Sequence, residues 1–413
     1  MTTTSVDFPG NRSNQVDVPR ALRKACFALC AINLAICLLA YLTHAWIFDR
    51  DGLDIPTDFI SFWGAGHLAV NGAPSEAFDW DLLKRVQVAK LGHDFDGNFP
   101  WHYPPPFLLV ASLLSLLPYW AAHLGWVLAS IVPYLLVTRA IVGHNFGVLL
   151  ALAVPMVSMN AMVGQTGFLS AALIGGTLYF LPLRPALAGI CLGLLTYKPQ
   201  LGLLFPLAVL AGGHWRVLVS ASLTTIVMVV LSSLAFGTES WFAFFHWLSQ
   251  SSLVVLSEGQ LSWWKLLSIY TAVRYFGGSE QLAWICHFAL TGAISVVVAV
   301  MWRSRMPYAL KAAALSSATL LVTPYIAIYD MVVLTIPIAF LFRIGLRRGF
   351  RRYELPTLVA AIGMIALYFT GNPSALGATL LVSALILARA VSWWLQNKAS
   401  DPVTASAEAP SPT

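Results

Sequence analysis

Thr57-Asp58-Phe59 places a carboxylate just past the first long apolar run of this 413-residue chain. Phe62, Trp63, Ala65 and Gly66 follow at spacings that suit a short helix lying in a membrane interface, with Asp58 near its N-terminus. A carboxylate there can cap the helix or act as a general base that takes the proton of an attacking hydroxyl. The spacing leaves both open. The stretch 49–103 holds nine of the chain's 18 acidic residues: Asp49, Asp51, Asp54, Asp58, Glu76, Asp79, Asp81, Asp94 and Asp96. A long acidic loop laid on an apolar body points to chemistry at a membrane surface, with the base sought in that loop.

Other polar residues stand where hydrocarbon is expected. Lys198 precedes Pro199 inside an apolar run; it either snorkels to the interface or holds an anion at a broken helix. Gly164-Gln165-Thr166-Gly167 is a tight turn or presents Gln165 as a polar ligand. Trp101-His102-Tyr103-Pro104-Pro105-Pro106 belongs to an interfacial aromatic belt or lines a substrate groove. In Tyr325-Ile326-Ala327-Ile328-Tyr329-Asp330, the acid falls near the end of an apolar crossing. A lone carboxylate there starts a helix, or needs a partner or a raised pKa.

The elements that must position these groups follow from composition. With 58% hydrophobic and 10% charged residues, no soluble domain of this size could furnish its surface. Repeated apolar runs make an all-α polytopic integral membrane protein. The net charge of +6 collects in short segments, above all Arg343, Arg347, Arg348, Arg351 and Arg352. That is the positive-inside pattern and gives no reason to invoke nucleic acid. The cysteines, Cys26, Cys30, Cys37, Cys191 and Cys286, fall in apolar runs and form neither a disulfide framework nor a metal-ligand spacing. Residues 1–23 are read as a disordered cytoplasmic segment, 24–397 as the membrane domain and 398–413 as a disordered tail.

Arg12, Arg20, Arg23 and Lys24 place the N-terminus inside, so loop 49–103 lies on the non-cytoplasmic side with its interfacial helices. Segment 105–117 is short of the ~20 residues a crossing needs and reads as a half-helix or re-entrant element. Spans are expected at 119–138, 145–162, 166–183, 217–236, 281–302, 308–325, 327–343, 354–370 and 374–397, with 186–213 broken at Lys198-Pro199. With the first span, about twelve crossings with both ends inside satisfy every strong charge cluster. The scheme gathers Asp58, His67, His102, Tyr103, Gln165, Lys198, Gln260, Tyr325, Tyr329 and Asp330 on one face. A transporter or flippase of lipid-linked sugars would also use broken helices and buried charge. It is the rival reading, disfavoured by the absence of a hydropathy repeat.

In order along the chain, Thr57-Asp58-Phe59 with Phe62-Trp63-x-Ala65-Gly66, Asn71-Gly72-x-Pro74 leading to Phe78-Asp79, Tyr103-Pro104-Pro105, Gly164-Gln165, Ala188-Gly189 with Lys198-Pro199, and Thr323-Pro324-Tyr325 with Tyr329-Asp330 resemble the membrane-embedded glycosyltransferases of family 87. That family has the GT-C fold and includes polyprenyl-phosphate-mannose-dependent mannosyltransferases. The resemblance spans about Asp58 to about Phe342. It implies a hexosyltransferase in the inner (plasma) membrane, taking a sugar, mannose first among the candidates, from a polyprenyl-phosphate donor to a glycolipid or glycan acceptor. Transfer would occur at the periplasmic or outer face, with membrane lipids as further partners. Asp58 then matches the first-loop aspartate that deprotonates the acceptor. Lys198, His102 and Tyr103 are assigned to the donor phosphate; Trp63, His67, Gln165, Gln260, Tyr325, Tyr329 and Asp330 to the substrates. The family's histidine near the later outer loop has no counterpart here, where Tyr325, Tyr329 and Asp330 stand instead. A single displacement would invert the anomeric carbon. The reaction is expected to need no metal and no cofactor, on the view that the first loop lacks an Asp-x-Asp metal pattern.

Overall fold

The computed structural model describes residues 18–252 and 263–399. Among them every regular element is helical, with three isolated β-bridges. The chain runs α1 (Arg20–Leu42), α2 (Phe59–Val70), α3 (Trp80–Leu91), α4 (Leu108–Ser115), α5 (Tyr119–Val142), α6 (Phe146–Leu152), α7 (Met156–Val163), α8 (Gly167–Phe180) and α9 (Pro185–Leu194). It continues with α10 (Phe205–Ala211), α11 (Trp215–Phe236), α12 (Glu239–Ser252), α13 (Ile269–Tyr275), α14 (Glu280–Arg303), α15 (Tyr308–Ala318), α16 (Thr335–Arg348), α17 (Glu354–Leu367) and α18 (Ser374–Ala399). The first helix begins at Arg20, inside the segment expected to precede the membrane domain. The tails 1–17 and 400–413, read above as disordered, lie outside the described residues.

Among the described residues, six helical stretches are long and apolar enough to cross a membrane: α1, α5, α11, α14, Ile328–Arg348 and Ser374–Asn397. The bent pair α6–α7 would make a seventh. About twelve were expected from hydropathy and charge. The difference lies in α8, α9, α10, α15 and α17, which occupy expected spans but are shorter than the ~20 residues a perpendicular crossing needs. α11 and α14 leave Val219, Leu223, Leu234, Phe288 and Val300 at least 60% exposed, as apolar faces turned to lipid would be. The Ile328–Arg348 run is instead buried along 89% of its apolar window and forms the centre of the bundle.

The irregular backbone is supported by identifiable groups. Pro155 interrupts α6–α7, which bend by 65°. Asn33 of α1 donates from Nδ2 to the carbonyls of Leu152 and Val154, both at 2.9 Å, satisfying acceptors at the break. Segment 105–117 forms a short 3-10 turn, Pro105–Phe107, running into α4 and far below crossing length, in line with the half-helix expectation. Proline opens that turn, where its missing N–H costs nothing. α4 then packs backbone to backbone on α2. A Cβ on Gly66 would stand 2.0 Å from the Ala111 carbonyl oxygen, so any larger residue would push the two helices apart. The expected break at Lys198-Pro199 is also present, as two 3-10 turns, Leu195–Tyr197 and Pro199–Gly202, between α9 and α10.

Candidate functional site

Asp58 occupies the N-cap position of α2, yet its side chain makes no capping hydrogen bond. The chain entering α2 is pinned by Tyr119, whose hydroxyl accepts from Thr57 N at 3.2 Å and donates to the Ile55 carbonyl at 3.3 Å. With the entry fixed, the carboxylate turns away from its own helix. Asp58 Oδ2 accepts from Gln165 Nε2 at 3.0 Å. Gln165 Oε1 in turn accepts from the Tyr103 hydroxyl at 2.8 Å and from Thr166 N at 3.3 Å. The amide is thus held from both ends, and its N–H₂ can point only at the carboxylate.

Gln165 gets its place from the turn between α7 and α8. Gly164 sits at φ 69°, where a side chain would be strained; its Cβ would also stand 2.7 Å from Phe59 Cβ. Asn160 Oδ1 accepts from Gly167 N at 3.0 Å and closes the turn. His123, absent from the sequence-based candidates, supports the same region. It stacks on Phe59 with ring centres 5.0 Å apart and places Nε2 2.9 Å from the Ala161 carbonyl.

Next to Gln165, Thr166 leads to a second charged group. Lys198 Nζ donates to Thr166 Oγ1 at 3.5 Å and to Asp330 Oδ1 at 2.5 Å, and it lies 5.1 Å from the centre of the Tyr329 ring. Both partners of the ion pair are buried. Asp330 Oδ2 also accepts from Ala327 N at 3.2 Å, so the helix-start reading and the partner reading hold together. Lys198 therefore does not snorkel; its charge is matched by Asp330. An ammonium has three donors, and these contacts use two of them.

A further cation, which the sequence reading passed over, acts on Asp58. Leu267 N donates to the Ile326 carbonyl at 2.7 Å, and Leu266 bridges to Ala327. This lays the Trp263–Lys265 turn along the segment that leads to Asp330. Lys265 is exposed, and its charge acts on the Asp58 carboxylate. Trp263-Trp264-Lys265, two interfacial aromatics followed by a base, was the available signal.

Burial pushes the Asp58 carboxyl above the usual range, with the Gln165 hydrogen bond and then the Lys265 charge pulling it partway back. The group keeps accessible surface while surrounded by protein, as in a cleft. A base works deprotonated, so activity that depends on Asp58 fails as pH falls through this raised pKa. The acid limb of kcat/KM should therefore lie above the ordinary aspartate range. Gln165→Leu removes a group that lowers the pKa and should move that limb further up. A limb at the ordinary value, unmoved by Gln165→Leu, would contradict this.

Tyr103 is buried among Phe62, Phe107 and Tyr197, with ring centres 5.3, 4.9 and 6.1 Å away. Burial drives its phenol well above its usual pKa, and the carboxylates of Asp330 and Asp58 add to this, so it stays a donor. His102 is exposed and stands edge-on to Trp80, ring centres 6.0 Å apart. Crowding by protein pushes its imidazole down to about 4. It is neutral at pH 7 and can offer an anion an N–H but no charge.

Asp58, Tyr103, Gln165, Lys198, Tyr329 and Asp330 are thus brought together. The other expected residues are placed elsewhere or lie undescribed. Trp63 and His67 stack on each other at 5.0 Å, and Trp63 Nε1 donates to the Leu117 carbonyl. They share a face of α2 turned by roughly 140–180° from Asp58, at 100° per residue. Tyr325 packs with Leu266, Tyr270 and Ala283. Gln260 falls outside the described residues.

The premise of a loop without Asp-x-Asp does not hold. Asp49/Asp51, Asp79/Asp81 and Asp94/Asp96 all have that spacing. The leading aspartate of each binds backbone: Asp49 Oδ1 accepts from Asp51 N and Leu53 N, Asp79 Oδ1 from Asp81 N and Leu82 N, and Asp94 Oδ1 from Phe95 N. Turn and cap formation accounts for these pairs.

A family model described as glycosyltransferase family 87 matches residues 101–324, just over half of the chain. The matched stretch contains Tyr103, Gln165, Lys198 and Lys265, and it ends before Tyr329 and Asp330. Asp58 lies ahead of it. No curated protein and no solved structure matches.

Proposed function

The chain belongs to glycosyltransferase family 87, and from that premise we propose a specific reaction for this membrane glycosyltransferase. It moves a hexose, mannose first among the candidates, from a polyprenyl-phosphate donor to a hydroxyl of a glycolipid or glycan acceptor. The reaction takes place at the non-cytoplasmic face of the plasma membrane and inverts the anomeric carbon. The shorter apolar helices complete a GT-C bundle of about twelve crossings in this reading. The observation that carries it is the Asp58 carboxylate, placed at a helix N-cap but withdrawn from capping and aimed by Gln165 within a cleft.

In this reaction the acceptor oxygen attacks the anomeric carbon while the bond from that carbon to the phosphate oxygen breaks. The bonding pair leaves with the phosphate, and the acceptor proton passes to Asp58. Gln165 keeps the carboxylate oriented during the transfer. The leaving phosphate needs positive charge or N–H donors aimed at it. Lys198 can offer its remaining N–H, and His102 a neutral one. Because Asp330 cancels the Lys198 charge, Lys265 is the better source of uncompensated positive charge.

Orientation decides between a lipid-borne donor and a nucleotide sugar from the cytoplasm. Asp330 and Arg348 lie near opposite ends of one membrane-length helical run. The arginine-rich end favours the cytoplasm, which leaves the Asp58 cleft outside. Single cysteines replacing Asn98 and Arg352, both exposed, should separate cleanly in a background without the five native cysteines. A membrane-impermeant thiol reagent on intact cells is expected to label Asn98→Cys and to reach Arg352→Cys only after permeabilisation. The opposite pattern would place Asp58 in the cytoplasm and remove the reason for a polyprenyl-phosphate donor.

A further inference from the structure

The break at Lys198-Pro199 does more than place Lys198: it returns the chain to the end of the bundle from which α9 started. A Cβ on Gly189 would stand 2.6 Å from the Val217 carbonyl oxygen, and one on Gly193 2.7 Å from that of Ala221. A step of four residues along α9 thus matches a step of four along α11, so the two helices run parallel and in close contact. Both begin at the same end, where Arg184 precedes α9 and Arg216 stands in the first turn of α11. There the helices flank a groove of about 590 Å³, lined by both arginines and by Leu187, Trp215, Val219 and Leu223.

Among the described residues no carboxylate lines this groove, and neither helix has an acidic residue in its first turn. Arg184 and Arg216 are exposed, and neither side chain has a hydrogen bond or ion pair to another described residue. The positive ends of the two helix dipoles add to the guanidinium charge instead of offsetting it. The positive-inside pattern accounts for the side on which the arginines stand, but not for their meeting at the head of one groove. Below them the lining is apolar: Trp215, Val219 and Leu223 are 61, 66 and 60% exposed. Val219 and Leu223 lie one turn apart on α11, and Leu187 lines the same groove from α9. We propose that the groove binds an anionic phospholipid, with its phosphate between Arg184 and Arg216 and an acyl chain along Leu187, Val219 and Leu223. Charge at the head and hydrocarbon below match a lipid rather than a soluble anion, and basic pockets between membrane helices hold such headgroups. Trp215 suits the boundary between the two, the usual level of an interfacial indole. The ten residues of α9 put about 15 Å of helix between Arg184 and the turn before Lys198. The site is therefore distinct from the Asp58 cleft and does not rest on the proposed reaction.

The test uses the purified full-length chain in mixed micelles of a non-ionic detergent, with the five native cysteines replaced and a bimane fluorophore on a single Leu223→Cys at the groove. Nitroxide-labelled phosphatidylglycerol is the probe, and phosphatidylcholine with the same label, whose headgroup has no net charge, is the control. Phosphatidylglycerol should half-quench the bimane at a roughly ten-fold lower mole fraction, the gain expected of charge-assisted contacts. Arg184→Gln/Arg216→Gln should remove that preference and leave quenching by phosphatidylcholine unchanged. If that variant does not fold, raising the salt on the chain with both arginines should shrink the preference several-fold. Equal quenching by the two lipids would overturn the proposal. So would a preference that survives in the folded variant or, failing that variant, in high salt. Displacement of the labelled lipid by inorganic phosphate at equal concentration would make this a free-anion site and also overturn it.

Discussion

Asp58→Asn should lower glycosyl transfer by ~10²-fold or more, the range in which losing a general base usually falls. The substitution keeps the shape of the side chain, and an amide oxygen can still accept from Gln165 Nε2. What it removes is basicity. Its effect on stability should have the opposite character. Burial raises the folded-state pKa of Asp58 above its unfolded value, so the stabilising contribution of the group is present at low pH and lost as pH rises through that pKa. Above that pKa the carboxylate is ionised in a site that prefers its neutral form. There Asn should cost nothing in thermal stability, and the two proteins should converge in acid. An inactive protein that unfolds no earlier than wild type would mark a group retained for chemistry. Near wild-type turnover would remove Asp58 from the mechanism. A large loss of stability would make the carboxylate structural.

Lys198→Met should destabilise the folded chain by about 3–5 kcal/mol, the usual cost of leaving one member of a buried ion pair uncompensated. Asp330 is fully buried, and its charge has Lys198 as the ion-pair partner in the structure. Replacing both, as Lys198→Met/Asp330→Leu, should recover much of that loss, because a buried pair exchanged for apolar groups of similar size is often neutral. Thermal unfolding of the single and double variants measures this directly. A mild effect of the single variant, or a double variant as unstable as the single, would show that the pair contributes little. The folded double variant also separates two roles for Lys198. If the lysine serves only to neutralise Asp330, donor affinity returns with the fold. If it also gives an N–H to the donor phosphate, affinity stays reduced.

Local sequence signals revealed much of the framework. Pro199 inside an apolar run marked the broken segment around Lys198, and the triple proline marked the short re-entry at Pro105–Phe107, because a missing N–H acts on its immediate neighbours. Pro155 carried the same kind of signal for the α6–α7 bend, though 145–162 read as one span. What balances that bend, Asn33 on another helix, has no local trace. The site divides in the same way. Asp58 was recognisable from its surroundings, but its release from capping depends on Gln165, 107 positions away. Lys198 and Asp330 were each conspicuous as charges in hydrocarbon; their pairing across 132 positions is a tertiary fact. Trp63 and His67 were grouped with Asp58 through proximity in sequence, although helical spacing turns them to another face of α2. Lys265 was overlooked because a lysine between two spans is ordinary until the pairing of Leu267 with Ile326 fixes its turn and its charge acts on Asp58.

The central claim is a single displacement at the Asp58 cleft, with a polyprenyl-phosphate sugar as donor. The stereochemistry of the product tests it most directly. Purified protein is supplied with a polyprenyl-phosphate hexose of known anomeric configuration and a glycolipid extract as acceptor, and the new glycosidic bond is assigned by NMR. One base opposite one leaving phosphate predicts a product of inverted configuration, formed from the lipid donor. A product of retained configuration, or turnover from a nucleotide sugar but not from the lipid donor, would contradict the account.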